Sequence, residues 1–267
     1  MNSRKVVLMG LAAAVAVLAF LWQTGWLDRG GEKAPAPTPP VAAVPAQPDA
    51  SQPAPVPLEP EAPAAPLATA DVAGALTALF GRTALVVTDD FPRRFVATVD
   101  NLGRTHAPPV MWPVTPTAGR FAVQEVDGST VIAADNSARS TPFVLLAEGV
   151  DAAAAVQLYS RMYPLLQGAY RELGFPGKSF HHRLVEVIDL LLATPQPPYP
   201  LKVHLVEVKG SVPSVRPWVR YEYADPALEA LPAGQKMLLR VGPEHQKRLK
   251  AKLAQLRAEL LRGAPQR

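Results

Sequence analysis

SFHHRLVEVIDLLLAT, from Ser179 to Thr194, is the stretch on which the fold turns. Ser179 is suited to an N-cap, where its hydroxyl takes a backbone N–H of the first turn. Behind it Leu184, Val185, Val187, Ile188, Leu190, Leu191 and Leu192 leave little polar surface at helical spacing. A helix apolar on most of its circumference belongs at the centre of a domain. Pro195 to Pro200 ends it. The flanking sequence is therefore read as elements laid against this one.

Upstream, Asp151 caps DAAAAVQLYSRMYPLLQGAYRELG, whose Val156, Tyr159, Met162, Tyr163, Leu166, Tyr170 and Leu173 keep helical spacing across Pro164. Pro164 is expected to kink or restart this helix, and Gly174 to close it. Thr141-Pro142 reads as a cap with proline at the first helical position, opening a short helix through Leu146. Phe121 to Val126 and Ser129 to Ala133 flank Asp127-Gly128, a hairpin signal. Arg104 to Gly119, with Pro108, Pro109, Pro113 and Pro116, is an irregular crossing segment. Before it, Asp89 or Asp90 opens a helix with Pro92 in its first turn and a buried stripe of Phe91, Phe95, Val99 and Leu102, while Arg93, Arg94 and Asp100 point elsewhere. The first helix is capped by Asp71, runs through Leu76, Leu79 and Phe80, and stops at Gly81.

Downstream, Leu201 to Lys209 and Val215 to Tyr223 alternate as two strands, antiparallel through Gly210 to Ser214. Asp225-Pro226 repeats the cap-and-proline start, and Gly242-Pro243-Glu244 opens a last helix. There Leu249, Leu253, Leu256 and Leu260 form a stripe backed by Lys247, Arg248, Lys250, Lys252 and Arg257, read as a solvated basic face. The stripe spans about two heptads, short of the three or four a coiled coil needs.

The candidate chemistry centres on Glu186 and Asp189, one turn apart on the central helix. Two such carboxylates either pair with a buried arginine, Arg93, Arg94 or Arg183 being available, or split their pKa values as an acid and a base. The first reading treats Arg93, Arg94, Glu186 and Asp189 as ion-pair or interaction residues. His182 and Glu186, four apart beside His181, supply two ligands where a metal site needs three, and the histidines sit in a first turn where exposure is common. No catalytic residue, metal or cofactor is assigned. GxSxG, SxxK, GxxxxGK[ST] and GxGxxG are all absent, and Ala233 to Arg240, AGQKMLLR, only superficially suggests a phosphate loop. Trp112, Trp218, Tyr221 and Tyr223, taken as exposed, could line a carbohydrate or peptide groove, although Tyr221 and Tyr223 alternate about Glu222 as any strand face would.

Near the start, Val6 to Trp22 reads VVLMGLAAAVAVLAFLW without a charge. It covers about 26 Å as a helix, close to a hydrocarbon core once extended to Leu27. Arg4 and Lys5 before it, with Trp22 and Trp26 at its far end, match a cytoplasmic basic flank and an interfacial aromatic belt. The competing signal peptide would need a small-x-small cleavage site, and QTGWLDRGG offers none. Ala34 to Pro66 then holds twelve of the chain's 30 prolines, a polyproline II spacer that could reach roughly 100 Å. There is no cysteine, which excludes disulfides and thiol chemistry. Without Arg4 and Lys5, 25 basic residues face 23 acids, too even a balance for nucleic acid.

Taken in order, RRFVATVDNL (93–102), YPLLQGAYRELGFP (163–176), RLVEVIDLLLATP (183–195) and ADPALEALPAGQKMLLRVGPE (224–244), with the anchor and tether, resemble the proteobacterial family catalogued as domain of unknown function 3014. The resemblance implies a single-span inner-membrane protein with a periplasmic domain, and brings no activity or site residue with it. The expectation is a mainly α fold with small β-hairpins (α+β): a single compact helical domain over 71–262, following a cytoplasmic N-terminus (1–5), a transmembrane anchor (6–27) and a Pro/Ala-rich disordered linker (28–70), with a disordered tail at 263–267. The expected partners are the inner membrane, through Val6 to Leu27, and an envelope protein. The alternatives are a periplasmic hydrolase using the paired carboxylates and a cell-wall or small-ligand sensor. The sequence does not fix the oligomeric state.

Overall fold

In the computed structural model the described residues are 65–81, 84–116, 119–206 and 219–262. The anchor, most of the spacer, the tail, Trp218 and the connection at Gly210 to Ser214 lie outside them. Eight α-helices are described: α1 Val72–Phe80, α2 Phe91–Leu102, α3 Asp135–Gly149, α4 Ala152–Glu172, α5 Phe180–Leu192, α6 Pro226–Glu229, α7 Ala233–Arg240 and α8 Pro243–Arg262. Four short strands join them: β1 Val123–Val126, β2 Ser129–Ile132, β3 Val203–Leu205 and β4 Tyr221–Tyr223. The fold is mainly helical with two antiparallel strand pairs.

The helices start where side chains can satisfy free N–H groups. Asp151 accepts from Ala154 N–H at 2.8 Å, and Asp225 from Ala227 N–H at 2.8 Å. Ser179 accepts from His182 N–H at 3.3 Å. Asp71 and Asp90 hold the cap positions of α1 and α2 without a side-chain cap bond, and Asp90 is left-handed at φ 47°. Asp127 and Gly128, at φ 48° and 70°, turn β1 into β2 as a two-residue hairpin loop with φ positive at both positions. Ile132 N–H donates to the Leu201 carbonyl at 2.9 Å and Val131 bridges Lys202, so the hairpin lies beside the β3–β4 pair. Together they cover a small second core of Phe121, Ile132, Leu201, Val203, Tyr223 and Leu239.

The main core lies between helices. α2 packs on α4 and α5, α1 on α4, and α8 on α3, α4 and α5. Phe91, Phe95, Val99 and Leu102 are all buried, as are Leu249, Leu253, Leu256 and Leu260. The chain joins this core by Leu67, which is 6% exposed. Its N–H donates to the Arg161 carbonyl at 2.8 Å, one residue past Ser160, whose carbonyl Pro164 has no N–H to serve.

Several expectations give way. Pro142 opens no helix: α3 begins at Asp135 and carries Pro142 inside it. Asn136 holds that early start, bonding both the N–H and the carbonyl of Ala122, and Ser140 is fully buried. Pro164 sits within an undivided α4, so the helix does not restart there. The basic back of α8 is only partly a solvated face: Lys247 is exposed, but α8 is packed on several sides and its other cations reach neighbouring backbone and carboxylates. Lys250 donates to the Thr194 carbonyl at 2.9 Å and Lys252 to that of Val150 at 2.8 Å, while Arg248 pairs with Glu148. Trp112 and Tyr223 are buried rather than exposed; the Tyr223 hydroxyl donates to the Lys236 carbonyl at 2.7 Å. The most enclosed helix is α7, not α5: all eight of its residues are buried, Lys236 and Arg240 included.

Among the described residues no single helix is long and apolar enough to cross a membrane. α3 and α4 pass that test only as a pair, and they are bent by 81° where they meet.

Candidate interaction surfaces

Among the described residues Asp100 is the one buried acidic residue, at 7% exposure. Val96, Ala97, Thr98 and Val99 before it are all buried, so the inner face of α2 is wider than its four-residue stripe and carries Asp100 inward. A carboxylate there requires partners. Arg183 on α5 supplies Nε to Oδ1 at 3.0 Å and Nη2 to the Asp100 carbonyl at 2.8 Å. Arg104 pairs with Oδ2 at 2.6 Å. Arg183 also reaches Glu186 at 3.0 Å. Burial works against the Arg183 charge, but Glu186 and Asp100 outweigh it and hold its pKa above the ordinary value. The guanidinium fits because residue 103 is glycine: a Cβ there would stand 2.6 Å from Arg183 Nη2.

The four residues singled out in the sequence go to four different places. Arg93 pairs with Glu172 at 2.9 Å on the surface. Arg94 donates to the carbonyls of Asp89, Val110 and Trp112, tying the crossing segment to α2. Glu186, with its side chain 67% exposed, meets Arg183. Asp189 receives Arg257 from α8, a bond that raises the arginine's pKa. None of the four bonds another. Glu186 and Asp189 leave the inner side of α5, so that helix is amphipathic rather than apolar all round, and the buried carboxylate of the region is Asp100. An unbroken run of uncharged residues from Phe95 to Val99 was the available sign of it.

His181 is 2% exposed, not solvated as its first-turn position suggested. Its Nδ1 lies 3.1 Å from the Tyr159 hydroxyl, Nε2 has no hydrogen-bond partner, and burial lowers its pKa to about 4. His182 is exposed. Among the described residues no three His, Asp or Glu side chains form a metal-binding group.

Among the described residues, two open grooves border α4. One, of about 770 Å³, lies between the chain entry at Thr69 and Val72, the start of α2, and Pro164, Leu165 and Gly168 of α4, with the Arg93–Glu172 pair on its wall. The other, of about 900 Å³, lies between the start of α4 and the end of α8, walled by Ala152, Ala153, Ala254 and Ala258. Lys252, Glu148, Asp151, Glu259 and Arg262 also border it. Both grooves are open along their length, a shape suited to an extended segment or a helix.

A family model described as "Protein of unknown function (DUF3014)" matches residues 91–257. No curated protein and no solved structure matches the chain.

Proposed function

The chain belongs to the DUF3014 family, and from that premise we propose that it is a non-enzymatic interaction module of the bacterial cell envelope, carried on one membrane span. Val6 to Leu27 serves as the inner-membrane anchor, Ala34 to Pro66 as the spacer, and the helical domain as the periplasmic part that meets an envelope protein. The apolar run with Arg4 and Lys5 before it and Trp22 and Trp26 after it supports the span and its orientation. The observation that carries the interaction reading is the way the charged candidates are spent. Glu186 and Asp189 each hold an arginine, Arg183 and Arg257, while the concavities beside α4 are open grooves with small side chains on their walls. Ion pairs of that kind organise helices, and grooves of that shape accept polypeptide.

Three measurements test this. A reporter that works only in the cytoplasm, fused after Arg267, is expected to stay silent while one that works only outside it gives signal; the reverse pattern overturns the topology. A photo-crosslinking residue at Gly168, in the first groove, is expected to trap an envelope protein in cells that the same residue at Val126 on the hairpin does not. Identical products from both positions would remove the groove from the reading, and loss of cellular function in Glu186→Gln with unchanged melting would favour a catalytic role.

A further inference from the structure

The groove between α1, the start of α2 and the second half of α4 has a chemistry that selects its occupant. Val72 and Ala73 of α1 and Pro164, Leu165 and Ala169 of α4 make its walls apolar. There is room beside Gly168, where an added Cβ would meet no other atom within 4 Å. The polar lining, by contrast, is one-sided. Asp89 and Asp90 border the groove and are exposed. Asp90 holds the cap position of α2 yet makes no side-chain cap bond, and Asp89 gives only its backbone carbonyl, to Arg94 Nε at 3.1 Å. Neither carboxylate is therefore spent on the free N–H groups that an acid at a helix start ordinarily takes. Arg94 turns Nη1 to the Val110 and Trp112 carbonyls and is not in the lining, while Arg93, which is, pairs with Glu172 at 2.9 Å. Three carboxylates thus line the groove against one guanidinium, a balance of two negative charges. The hydroxyls of Thr69 and Thr88 add further acceptors.

We propose that this groove takes a basic, extended segment of a partner protein, in which lysine or arginine alternates with small residues. The proposal rests on the interaction reading above and gives that partner its chemistry. In an extended chain successive side chains point to opposite sides. One side then meets Asp89 and Asp90, and the small residues lie against Pro164, Leu165 and Gly168. An ammonium or guanidinium brings donors alone, which match a lining rich in acceptors. The attraction is local, because the chain as a whole carries a formal charge of +4 and does not draw cations by its net field.

The test uses the full chain purified in detergent, and the absence of native cysteine allows an environment-sensitive dye to be placed at one site. Ala73→Cys carries it on the groove, and Val126→Cys on the hairpin is the control, both positions being exposed. The probes are the peptides AKAKAKA and AEAEAEA. A saturable response to the lysine peptide below about 10 mM, at Ala73→Cys alone and not to the glutamate peptide, is the expected result. Asp89→Asn with Asp90→Asn should weaken it at least about fivefold, and asparagine suits the left-handed backbone of Asp90, so the double variant keeps its fold. Gly168→Leu should abolish it by filling the groove, and Glu186→Gln, at an exposed carboxylate outside the groove, should leave it unchanged. No saturable response, equal responses to the two peptides or at the two dye positions, or indifference to the double substitution overturns the proposal. Crosslinking from Gly168 in cells is a separate readout: an adduct there without peptide binding sinks the basic segment and leaves the groove as an interaction surface.

Discussion

Asp100 and the guanidinium above it are a pair whose halves are costly to separate. Asp100→Asn leaves Arg183 facing a neutral amide beneath a half-exposed Arg104, and is expected to cost on the order of 2–4 kcal/mol by chemical denaturation. Glu186→Gln, at an exposed carboxylate, should cost under about 1 kcal/mol. Gly103→Ala pushes a methyl against Arg183 and should cost about 1–2 kcal/mol. In an Arg183→Ala background the same change should cost almost nothing, and equal costs in the two backgrounds would show that the guanidinium is not the obstacle. His181 gives the chain a pH dependence of definite sign. Its folded pKa, about 4, lies below the ordinary 6.5, so stability is complete above pH 6.5. It falls as the pH drops from there toward 4, because only the unfolded chain takes the proton. By pH 5 the loss is on the order of 1–2 kcal/mol, and His181→Gln should flatten that part of the melting curve.

At the scale of elements, what could be read in advance was whatever physics is local. Asp151, Ser179 and Asp225 announce helix starts through their own side chains, Asp127-Gly128 announces the hairpin turn, and the stripes of α2 and α8 follow from periodicity. What escaped reading depends on contacts distant in sequence. AGQKMLLR carries a lysine, a glutamine and an arginine and looks like surface, yet Gln235 donates to the Leu190 carbonyl at 2.7 Å. Lys236 donates to Glu229 at 2.8 Å, and Arg240 to the Tyr221 carbonyl at 2.6 Å. Partners 7 to 45 residues away make those polar groups burial-compatible, and no window of α7 alone contains them. The carboxylates of α5 were legible as a spacing but not as an exposure, since which side of α5 faces inward is decided by α2 and α8. The tightest crossing follows from the same packing. A Cβ on Gly234 would stand 2.7 Å from Leu191 Cδ2 and 3.2 Å from the Leu102 carbonyl oxygen. Gly234→Ala should therefore cost about 2–3 kcal/mol, and a neutral melt would mean that α7 can slide on α2 and α5.

For the molecule as a whole, α8 is the member that binds the others. It reaches α3 through Arg248 and Glu148, α5 through Arg257 and Asp189, and the α3–α4 corner through Lys252. The small sheet core is attached from the other side, where Leu239 of α7 enters it. The entry segment closes the remaining flank of α4, with Leu67 seated in the main core. Leu67→Ala should cost about 2–3 kcal/mol, and deleting everything before Asp71 should cost at least as much, measured by denaturation in detergent. A truncation without effect would mean that the domain does not need its entry.

The family signature stops at residues 91 and 257, while the aliphatic contacts run past both. Leu67, Val72, Leu76 and Leu79 pack from one side and Leu260 from the other. A gene trimmed to the signature would yield a polypeptide with a greasy flank laid bare, fit for inclusion bodies rather than for assays. A version that keeps Leu67 through Leu260 keeps those contacts covered.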